Sequence, residues 1–182
     1  MNIIETPIEG LLIIEPRVFA DERGYFYESF NRKAFKAATG TDINFVQDNQ
    51  ARSSKNVLRG LHFQQEPHAQ TKLIRALTGT IWDVVVDIRK GSKTFGQWYG
   101  VELSAENKRQ FLVPEGFAHG YSVLSDTAEV FYKCDDYYSK ETEGGIYYAD
   151  EALNIDWKIR LEDAIVSEKD QKQPLLADVT TM

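Results

Sequence analysis

The segment PEGFAHGY, residues 114–121, places a Pro–Gly turn just ahead of a histidine in an apolar run. Proline restricts φ and glycine readily adopts positive φ, so Pro114 and Gly116 predict a tight turn between two strands. The turn directs the side chain of His119, in the second strand, toward the space between the sheets. This segment therefore predicts a β-rich fold with an inward-facing histidine.

Short β-rich runs, bounded by Gly, Pro, Asn and Asp, continue on both sides of this turn. Their composition predicts strands at residues 10–15, 25–30, 43–48, 57–63, 72–77, 80–88, 97–103, 110–114, 119–124 and 129–134. Thr78 and Gly79 predict a hairpin turn, and the strand after it is apolar on both faces until Asp87. A strand of that kind belongs inside a sandwich or barrel. Segment 45–54, FVQDNQARSS, predicts a strand that runs into a polar loop.

One helix is predicted, over residues 32–39. Asn31 can cap its N-terminus, Phe35 provides an apolar anchor, and Gly40 provides a left-handed stop. Many short strands and so little helix favour an antiparallel sandwich or jelly roll over a fold that alternates strands and helices. Residues 171–182 predict a loosely attached tail, with Leu175 and Leu176 as candidate docking residues.

The bulk properties narrow the class of protein. The chain has 182 residues, of which 21 are basic and 28 acidic, and its formal net charge is −7. The length suits one domain, and the charge disfavours a coat on nucleic acid or on a membrane surface. The N-terminal segment lacks the features of an export signal, and a lone Cys134 fits a reducing compartment. We therefore expect a cytoplasmic protein with no nucleic-acid or membrane partner.

The turn segment matches the P-x-G-x-x-H pattern of cupin jelly rolls, many of which bind a metal. A metal-binding cupin carries a second histidine two residues after the first and a carboxylate soon afterwards. Two residues after His62 the chain has Gln64, and the nearest acid is Glu66. Three nitrogen or carboxylate ligands are the usual minimum for a catalytic transition-metal site, so we expect no metal here.

The segment LRGLHFQ, residues 58–64, sets Arg59 and His62 in an otherwise apolar strand. A lone histidine there is most simply a buried ring with a satisfied hydrogen bond. Other polar side chains share such apolar runs, however, namely Lys72, Arg75, His119, Tyr132 and Lys133. Burying all of them unpaired would be costly, so we expect them to line a ligand cavity.

An imidazole, an ammonium and a phenol in one cavity suit proton abstraction beside a carbonyl. Histidine titrates near neutrality and can take the proton, while lysine can stabilise the enolate oxygen. A tyrosine on the other face of a sugar ring can return a proton and thereby invert the stereocentre. No redox cofactor is required for this chemistry, and the chain has no Gly-rich nucleotide loop.

Further polar segments offer groups that suit a nucleotide. Arg23, in DERGYFYESF, and Arg59 supply guanidinium forks, and residues 47–49 supply amides, which suit a diphosphate and a sugar or base. The tyrosines of DDYYSKETEGG, residues 135–145, can stack on a nucleobase. Taken singly, each segment is equally well explained as a polar turn or a barrel cap.

The ordered set of these segments resembles the dTDP-4-dehydrorhamnose 3,5-epimerase family. It comprises DERGYFYESF, FVQDNQARSSKNVLRGLHFQ, QTKLIRA, PEGFAHGYSVLSD, FYK, DDYY and SEKDQKQPLL, and it ends near Leu176. The resemblance implies an all-β, cupin-type double-stranded β-helix, or jelly roll, with few short helices. It also implies a homodimer, no cofactor, and one domain over residues 1–182 whose C-terminal segment packs on the barrel.

The implied reaction is epimerisation at carbons 3 and 5 of dTDP-4-dehydro-6-deoxy-D-glucose, in dTDP-L-rhamnose biosynthesis. By the same resemblance His62 is the base and Asp170 its carboxylate partner, Tyr132 is the proton donor, and Lys72 lies at the keto oxygen. Tyr138 stacks on thymine. The remaining substrate contacts implied by the resemblance are Arg23, Glu28, Gln47, Asp48, Asn49, Arg59, His119, Glu143 and Lys169.

Three other functions stay open on the sequence alone. They are an epimerase acting at only one carbon of a related dTDP-4-keto sugar, a metal-dependent cupin enzyme, and a sugar-binding jelly roll without catalysis. It is also open whether Arg59 and His62 face one pocket, because residues three apart in a regular strand point to opposite sides. A bulge at Gly60 would re-aim one of them.

Overall fold

The computed structural model describes residues 1–179, and two facing β-sheets form its body. The strands are β1 (Asn2–Glu5), β2 (Leu12–Glu15), β3 (Phe19–Asp21), β4 (Gly24–Phe26), β5 (Gln47–Ser54), β6 (Val57–Gln64), β7 (Lys72–Thr78), β8 (Thr80–Asp87), β9 (Trp98–Ser104), β10 (Gln110–Val113), β11 (Phe117–Val123), β12 (Thr127–Cys134), β13 (Glu143–Gly145) and β14 (Ile165–Val166). One α-helix, α1, covers Arg32–Thr39. Within residues 1–179 no helix has the length and apolar character needed to cross a membrane.

The two sheets divide the strands in the manner of a jelly roll. The first has the order β1-β2-β10-β7-β12-β5, and the second has the order β13-β6-β11-β8-β9 with β14 running parallel to β6. All other pairings are antiparallel, and β3 with β4 forms a separate hairpin. Strands β5 and β6 lie beside each other in sequence but in different sheets. The predicted all-β cupin-type jelly roll is therefore confirmed.

Apolar side chains fill three layers, because both faces of each sheet are covered. Between the sheets lie residues such as Ile74, Val85 and Phe111. The outer face of the second sheet is covered by the chain after β13, whose Trp157 packs with residues of β6, β8 and β11. Helix α1 covers the outer face of the first sheet through Phe35. This double coverage explains why β8 is largely buried on both faces.

The local chemistry of α1 agrees with its prediction. The Asn31 side chain accepts a hydrogen bond from the backbone N–H of Ala34, and Gly40 ends the helix in the left-handed conformation. The Gly40 N–H then reaches the carbonyl of Lys36 at 2.9 Å. Phe35 is buried, so its apolar anchoring role is also confirmed.

Three local predictions were wrong. Thr78 and Gly79 do not close a hairpin, because β7 pairs with β10 and β12 whereas β8 pairs with β9 and β11 in the other sheet. The strand predicted at 43–48 begins only at Gln47 and continues to Ser54, through the stretch expected to be a polar loop. The strand predicted at 25–30 is the short β4, which ends at Phe26. Pairing partners far away in sequence decide the first two cases, whereas β4 pairs only with its neighbour β3.

The C-terminal segment is attached more firmly than the tail prediction implied, as far as residue 179. The Leu176 N–H donates to the Asp150 carboxylate at 2.8 Å, and the Tyr147 N–H donates to the Pro174 carbonyl at 2.7 Å. Leu176 packs on the outer core of the second sheet, while Leu175 stays exposed. The part of the predicted tail at residues 180–182 lies outside the described residues.

Candidate active site

A cavity of about 560 Å³ opens between the two sheets, beside β5 at the edge of the first sheet and β6 in the second. Eleven of the residues singled out from the sequence line it: Gln47, Asn49, Arg59, His62, Lys72, His119, Tyr132, Tyr138, Glu143, Lys169 and Asp170. They come from both sheets, from the loop after β12, from β13 and from the C-terminal segment. The cavity therefore gathers groups that are far apart in sequence.

His62 and Asp170 form a hydrogen-bonded dyad on the wall made by the second sheet. His62 Nε2 lies 2.7 Å from Asp170 Oδ1, and the Gly60 N–H donates to Asp170 Oδ2 at 3.2 Å. Burial acts to raise the pKa of Asp170, but hydrogen bonds from His62, Gly60 and Ser167 outweigh it and lower this pKa. Asp170 is therefore a carboxylate that accepts from Nε2–H, which leaves Nδ1 of the neutral ring with a free lone pair.

A register shift in β6 brings Arg59 onto the same wall as His62. His62 is opposite His119 on β11 and Arg59 is opposite Tyr121, so two residues of β6, Gly60 and Leu61, face one residue of β11. Gly60 sits in the shift with φ +117°, and a Cβ there would lie 2.6 Å from the Gly120 Cα. Only glycine fits at that distance and φ. Both Arg59 and His62 therefore line the cavity.

Tyr132 and Lys72 belong to the opposite wall, since β12 and β7 lie in the first sheet. Burial raises the pKa of Tyr132 to about 12, so its phenol keeps its proton at neutral pH. Desolvation lowers the pKa of Lys72. Three neighbours oppose that change: Cys134, which lies opposite Lys72 on β12, and the carboxyls of Asp83 and Glu143. A base and a proton-carrying acid thus face each other across the cavity.

Asp83 is a buried hydrogen-bond partner of the cavity residue His119, and sequence reasoning missed it. Its side chain is 0% exposed, and its two oxygens lie 3.0 and 2.9 Å from Nε2 of His119. Burial raises the pKa of Asp83, while His119 and Lys72 oppose the rise. The sequence does contain a signal for this residue, because Asp83 interrupts the run TIWDVVV, which we described as apolar until Asp87. A charged residue in a two-sided apolar strand needs a buried partner.

The mouth of the cavity, where Tyr138 is exposed, carries a second hydrogen-bonded group. Tyr138 Oη donates to Glu143 Oε2 at 3.1 Å, and Lys169 Nζ lies 2.5 Å from Glu143 Oε1. The Tyr138 N–H donates to the Gln47 side chain at 3.1 Å, and Gln47 in turn donates to Asn49 at 3.2 Å. The exposed ring of Tyr138 is therefore held at the mouth by its backbone and its hydroxyl.

Gln64 has a supporting role at the same end. Its side-chain oxygen accepts from the Ser139 N–H at 3.1 Å and from the Thr142 hydroxyl at 2.7 Å. These bonds tie the loop that carries Tyr138 to β6. Within residues 1–179 no three His, Cys, Asp or Glu side chains converge in a way that could hold a metal ion.

Arg75 and Lys133, which we expected in the cavity, do not line it: Arg75 donates to the Tyr27 hydroxyl at 2.9 Å, and Lys133 pairs with Asp48 at 2.9 Å.

Three of the substrate contacts implied by the resemblance also lie outside this cavity. Arg23 is at the tip of the β3-β4 hairpin, its side chain is 84% exposed, and it pairs with Asp21 at 2.5 Å. Glu28 is exposed in the chain after β4. Asp48 points to the outer face of β5, where it pairs with Lys133 at 2.9 Å. Within one chain, none of the three reaches the groups that line the cavity.

Comparison with known proteins finds high similarity to one enzyme family. A chain from Shigella flexneri named dTDP-4-dehydrorhamnose 3,5-epimerase is 56% identical over 170 residues, which are 93% of this chain and 93% of that one. A crystal structure of the same-named protein from Elizabethkingia anophelis has a TM-score of 0.94 and 57% identity, and covers 98% of this chain and 97% of that one.

A second solved structure contains a ligand. The epimerase from Legionella pneumophila, in complex with dTDP-4-keto-L-rhamnose, has a TM-score of 0.94 and 53% identity, over 98% of this chain and 94% of that one. The sequence model of the dTDP-4-dehydrorhamnose 3,5-epimerase family matches residues 5–178. The fold, the arrangement of the cavity and these similarities agree, and this chain belongs to the dTDP-4-dehydrorhamnose 3,5-epimerase family.

Proposed function

We propose that this protein converts dTDP-4-dehydro-6-deoxy-D-glucose to dTDP-4-dehydro-L-rhamnose by epimerising carbons 3 and 5, in dTDP-L-rhamnose biosynthesis. One observation carries the proposal: the His62–Asp170 dyad and the protonated Tyr132 lie on opposite walls of one cavity. A base on one face of a sugar ring and an acid on the other are what inversion of a carbon requires.

The reaction begins at His62. Its Nδ1 takes the proton from carbon 3 or carbon 5, and the electrons of that C–H bond move to the carbonyl at carbon 4. The resulting enolate oxygen carries the negative charge, and the Lys72 ammonium stabilises it. Tyr132 then gives its proton to the same carbon from the other face of the ring, and the carbonyl re-forms with the configuration inverted.

One set of residues serves both carbons, because carbons 3 and 5 flank the same carbonyl. His62 must lose its proton and Tyr132 must regain one between the two events. Asp170 acts as a positioning residue, since its hydrogen bond fixes which imidazole nitrogen is basic. All of these steps are proton transfers, so the proposal needs no cofactor and no metal.

The nucleotide binds along the rest of the cavity. Thymine stacks on Tyr138, whose exposed ring is anchored at the mouth. Arg59 binds the diphosphate through its guanidinium group. The remaining proposed contacts inside the cavity are Gln47, Asn49, His119, Glu143 and Lys169.

We further propose a homodimer in which each cavity is completed by the other chain. Arg23, Glu28 and Asp48 lie outside the cavity of their own chain, and the hairpin that carries Arg23 exposes Phe19, Tyr25 and Phe26. A second copy can cover these rings and bring Arg23 to the diphosphate. A single-domain chain working in the cytoplasm is part of this proposal.

Complementation tests this arrangement. His62→Asn and Arg23→Ala each disable one half of the site, and refolding the two variants together makes mixed dimers with one intact cavity. The mixture recovers about one quarter of wild-type activity if Arg23 acts across the interface. A mixture that forms dimers but stays inactive contradicts the shared site.

Deuterium wash-in tests the reaction itself. The protein is incubated with dTDP-4-dehydro-6-deoxy-D-glucose in deuterated water, and NMR counts the labelled carbons. Label at carbons 3 and 5 with product formation supports the proposal. Label at only one carbon identifies a single-site epimerase, binding without label identifies a sugar-binding protein, and loss of activity with a chelator identifies a metal enzyme.

A further inference from the structure

The hydroxyl of Tyr121 is buried and unpaired. Tyr121 is 5% exposed and lines the cavity, and its Oη has no hydrogen-bond partner among residues 1–179. Buried side-chain hydroxyls are nearly always hydrogen-bonded in folded proteins. An unpaired hydroxyl on the wall of a binding cavity therefore indicates a ligand that supplies the missing partner.

The neighbours of Tyr121 define the chemistry of that partner. Across the sheet Tyr121 is opposite Arg59 on one side and Asp83 on the other. Arg59 directs its Nε to the Ser53 hydroxyl at 3.1 Å, which orients the guanidinium at the edge of the cavity. Asp83 is already bonded to His119. The charged group beside Tyr121 that remains available to a ligand is therefore the positively charged guanidinium of Arg59.

The protonation state of Tyr121 also suits a hydrogen-bond donor. Burial raises the pKa of Tyr121, and the nearby Ser53 hydroxyl and Arg59 cation only partly oppose the rise. No hydrogen bond of ordinary geometry joins Tyr121 to Ser53. A neutral phenol beside a guanidinium offers donors of two kinds, and an anionic phosphate oxygen accepts from both.

Position along the cavity distinguishes the two phosphates of the nucleotide. Tyr121 follows His119 by two residues on β11, so both side chains face the cavity interior. Tyr121 is also close enough to Tyr132, the proposed proton donor, to contribute to the raised pKa of that residue. Tyr121 thus lies at the sugar end, away from Tyr138 at the mouth.

We propose that Tyr121 donates a hydrogen bond to the sugar-linked phosphate of the substrate, next to Arg59. The inference rests on the proposed function and adds a residue to it, because Tyr121 was not among the residues named from the sequence. The oxygen held in this way is bonded to the phosphorus that carries carbon 1 of the sugar. Tyr121 therefore helps to set the depth at which carbons 3 and 5 meet His62.

The test compares the binding of dTDP with that of dTMP, which lacks the outer, sugar-side phosphate. Tyr121→Phe keeps the ring and removes only the hydroxyl. By isothermal titration calorimetry we expect the Kd for dTDP to rise about 10-fold, as for loss of one hydrogen bond to a charged group. The Kd for dTMP stays at the wild-type value. Tyr99→Phe is the matched control, because Tyr99 is half-buried but does not line the cavity.

An unchanged Kd for dTDP, or an equal rise for dTMP, overturns the inference. If Tyr121→Phe does not fold, Tyr121→Met removes the same hydroxyl with a flexible side chain and allows the same comparison. Failure of the proposed function is seen separately, as a wild-type protein that binds dTDP but washes no deuterium into the keto sugar. A wild-type protein that does not bind dTDP overturns both.

Discussion

Asp170 Oδ1 accepts a hydrogen bond from His62 Nε2 at 2.7 Å, and its other oxygen accepts from the backbone of Gly60, two residues before that histidine. One carboxylate thus holds both the ring and the strand that carries it. The orientation of the imidazole is therefore set by the C-terminal segment as well as by β6.

Asp170→Asn is expected to reduce turnover by at least about 100-fold. The Gly60 N–H attracts the amide oxygen, so the amide nitrogen faces His62 and donates to Nε2. The ring proton then moves to Nδ1, the nitrogen that must act as base. Initial rates of deuterium wash-in measure the effect, with exposed Asp156→Asn as control. A variant within about 3-fold of wild type would show that tautomer control is unimportant here.

Tyr132→Phe is expected to separate proton exchange from inversion. His62 can still remove a proton and return a deuteron on the same face, whereas the donor on the opposite face is lost. NMR should show deuterium entering the unreacted sugar while formation of the inverted product falls by about 100-fold or more. Tyr99→Phe is the control. Equal loss of exchange and inversion would argue that Tyr132 acts before the enolate forms.

Lys72→Met is expected to slow exchange at both carbons in parallel, by about 100- to 1,000-fold. Methionine keeps the length and apolar stem of the side chain but cannot stabilise charge on the oxygen at carbon 4. Because one enolate oxygen serves both reactions, the ratio of label at carbons 3 and 5 stays constant. Exposed Lys158→Met is the control. A change at only one carbon would place Lys72 away from the shared carbonyl.

Asp87 provides a test of stability instead of catalysis. Burial acts to raise its pKa, but hydrogen bonds from Arg89, Ser92 and Thr94 outweigh it and lower the pKa to about 2. The folded pKa lies below the unfolded value of 3.8, so the stabilisation is complete above pH 3.8 and is lost as the pH falls toward 2.

The corresponding measurement is urea unfolding of Asp87→Asn and wild type between pH 2 and pH 6. At pH 6 we expect wild type to be more stable by about 2 kcal/mol. The difference should shrink as the pH approaches 2, where about half of the folded molecules carry a protonated Asp87. Asp126→Asn, at an exposed position, should show no such convergence. A difference independent of pH would assign the effect to packing.

Most of the fold could be predicted from local sequence because β-branched runs, turn residues and helix caps act locally. Helix α1 was predicted with its correct bounds, since Asn31 and Gly40 bond only to their own helix. The division between sheets was not predictable in this way. Gly79 lies between two strands that look like a hairpin, and only their separate partners reveal the crossover.

In the site, too, residues with a local sequence signal were predictable and those that depend on long-range pairing were not. His62, Lys72 and Tyr132 are polar residues in apolar strands, which made them recognisable as cavity residues. Tyr121 was missed because an aromatic ring fits an ordinary β-strand, whereas Asp83 was recognisable as a charged residue in an apolar strand. Arg59 and His62 are three residues apart, so regular strand alternation would place their side chains on opposite faces of the sheet. The register shift at Gly60 brings both side chains to the cavity.

The late position of Asp170 has a consequence for the newly made protein. A chain emerging from the ribosome can pair every strand from β1 to β12 before residue 170 has been synthesised. Such a chain already encloses Lys72, His119 and Tyr132, yet His62 lacks its partner. A cut between β12 and residue 170 would therefore remove the hydrogen-bond partner of His62 while leaving Lys72, His119 and Tyr132 in the chain.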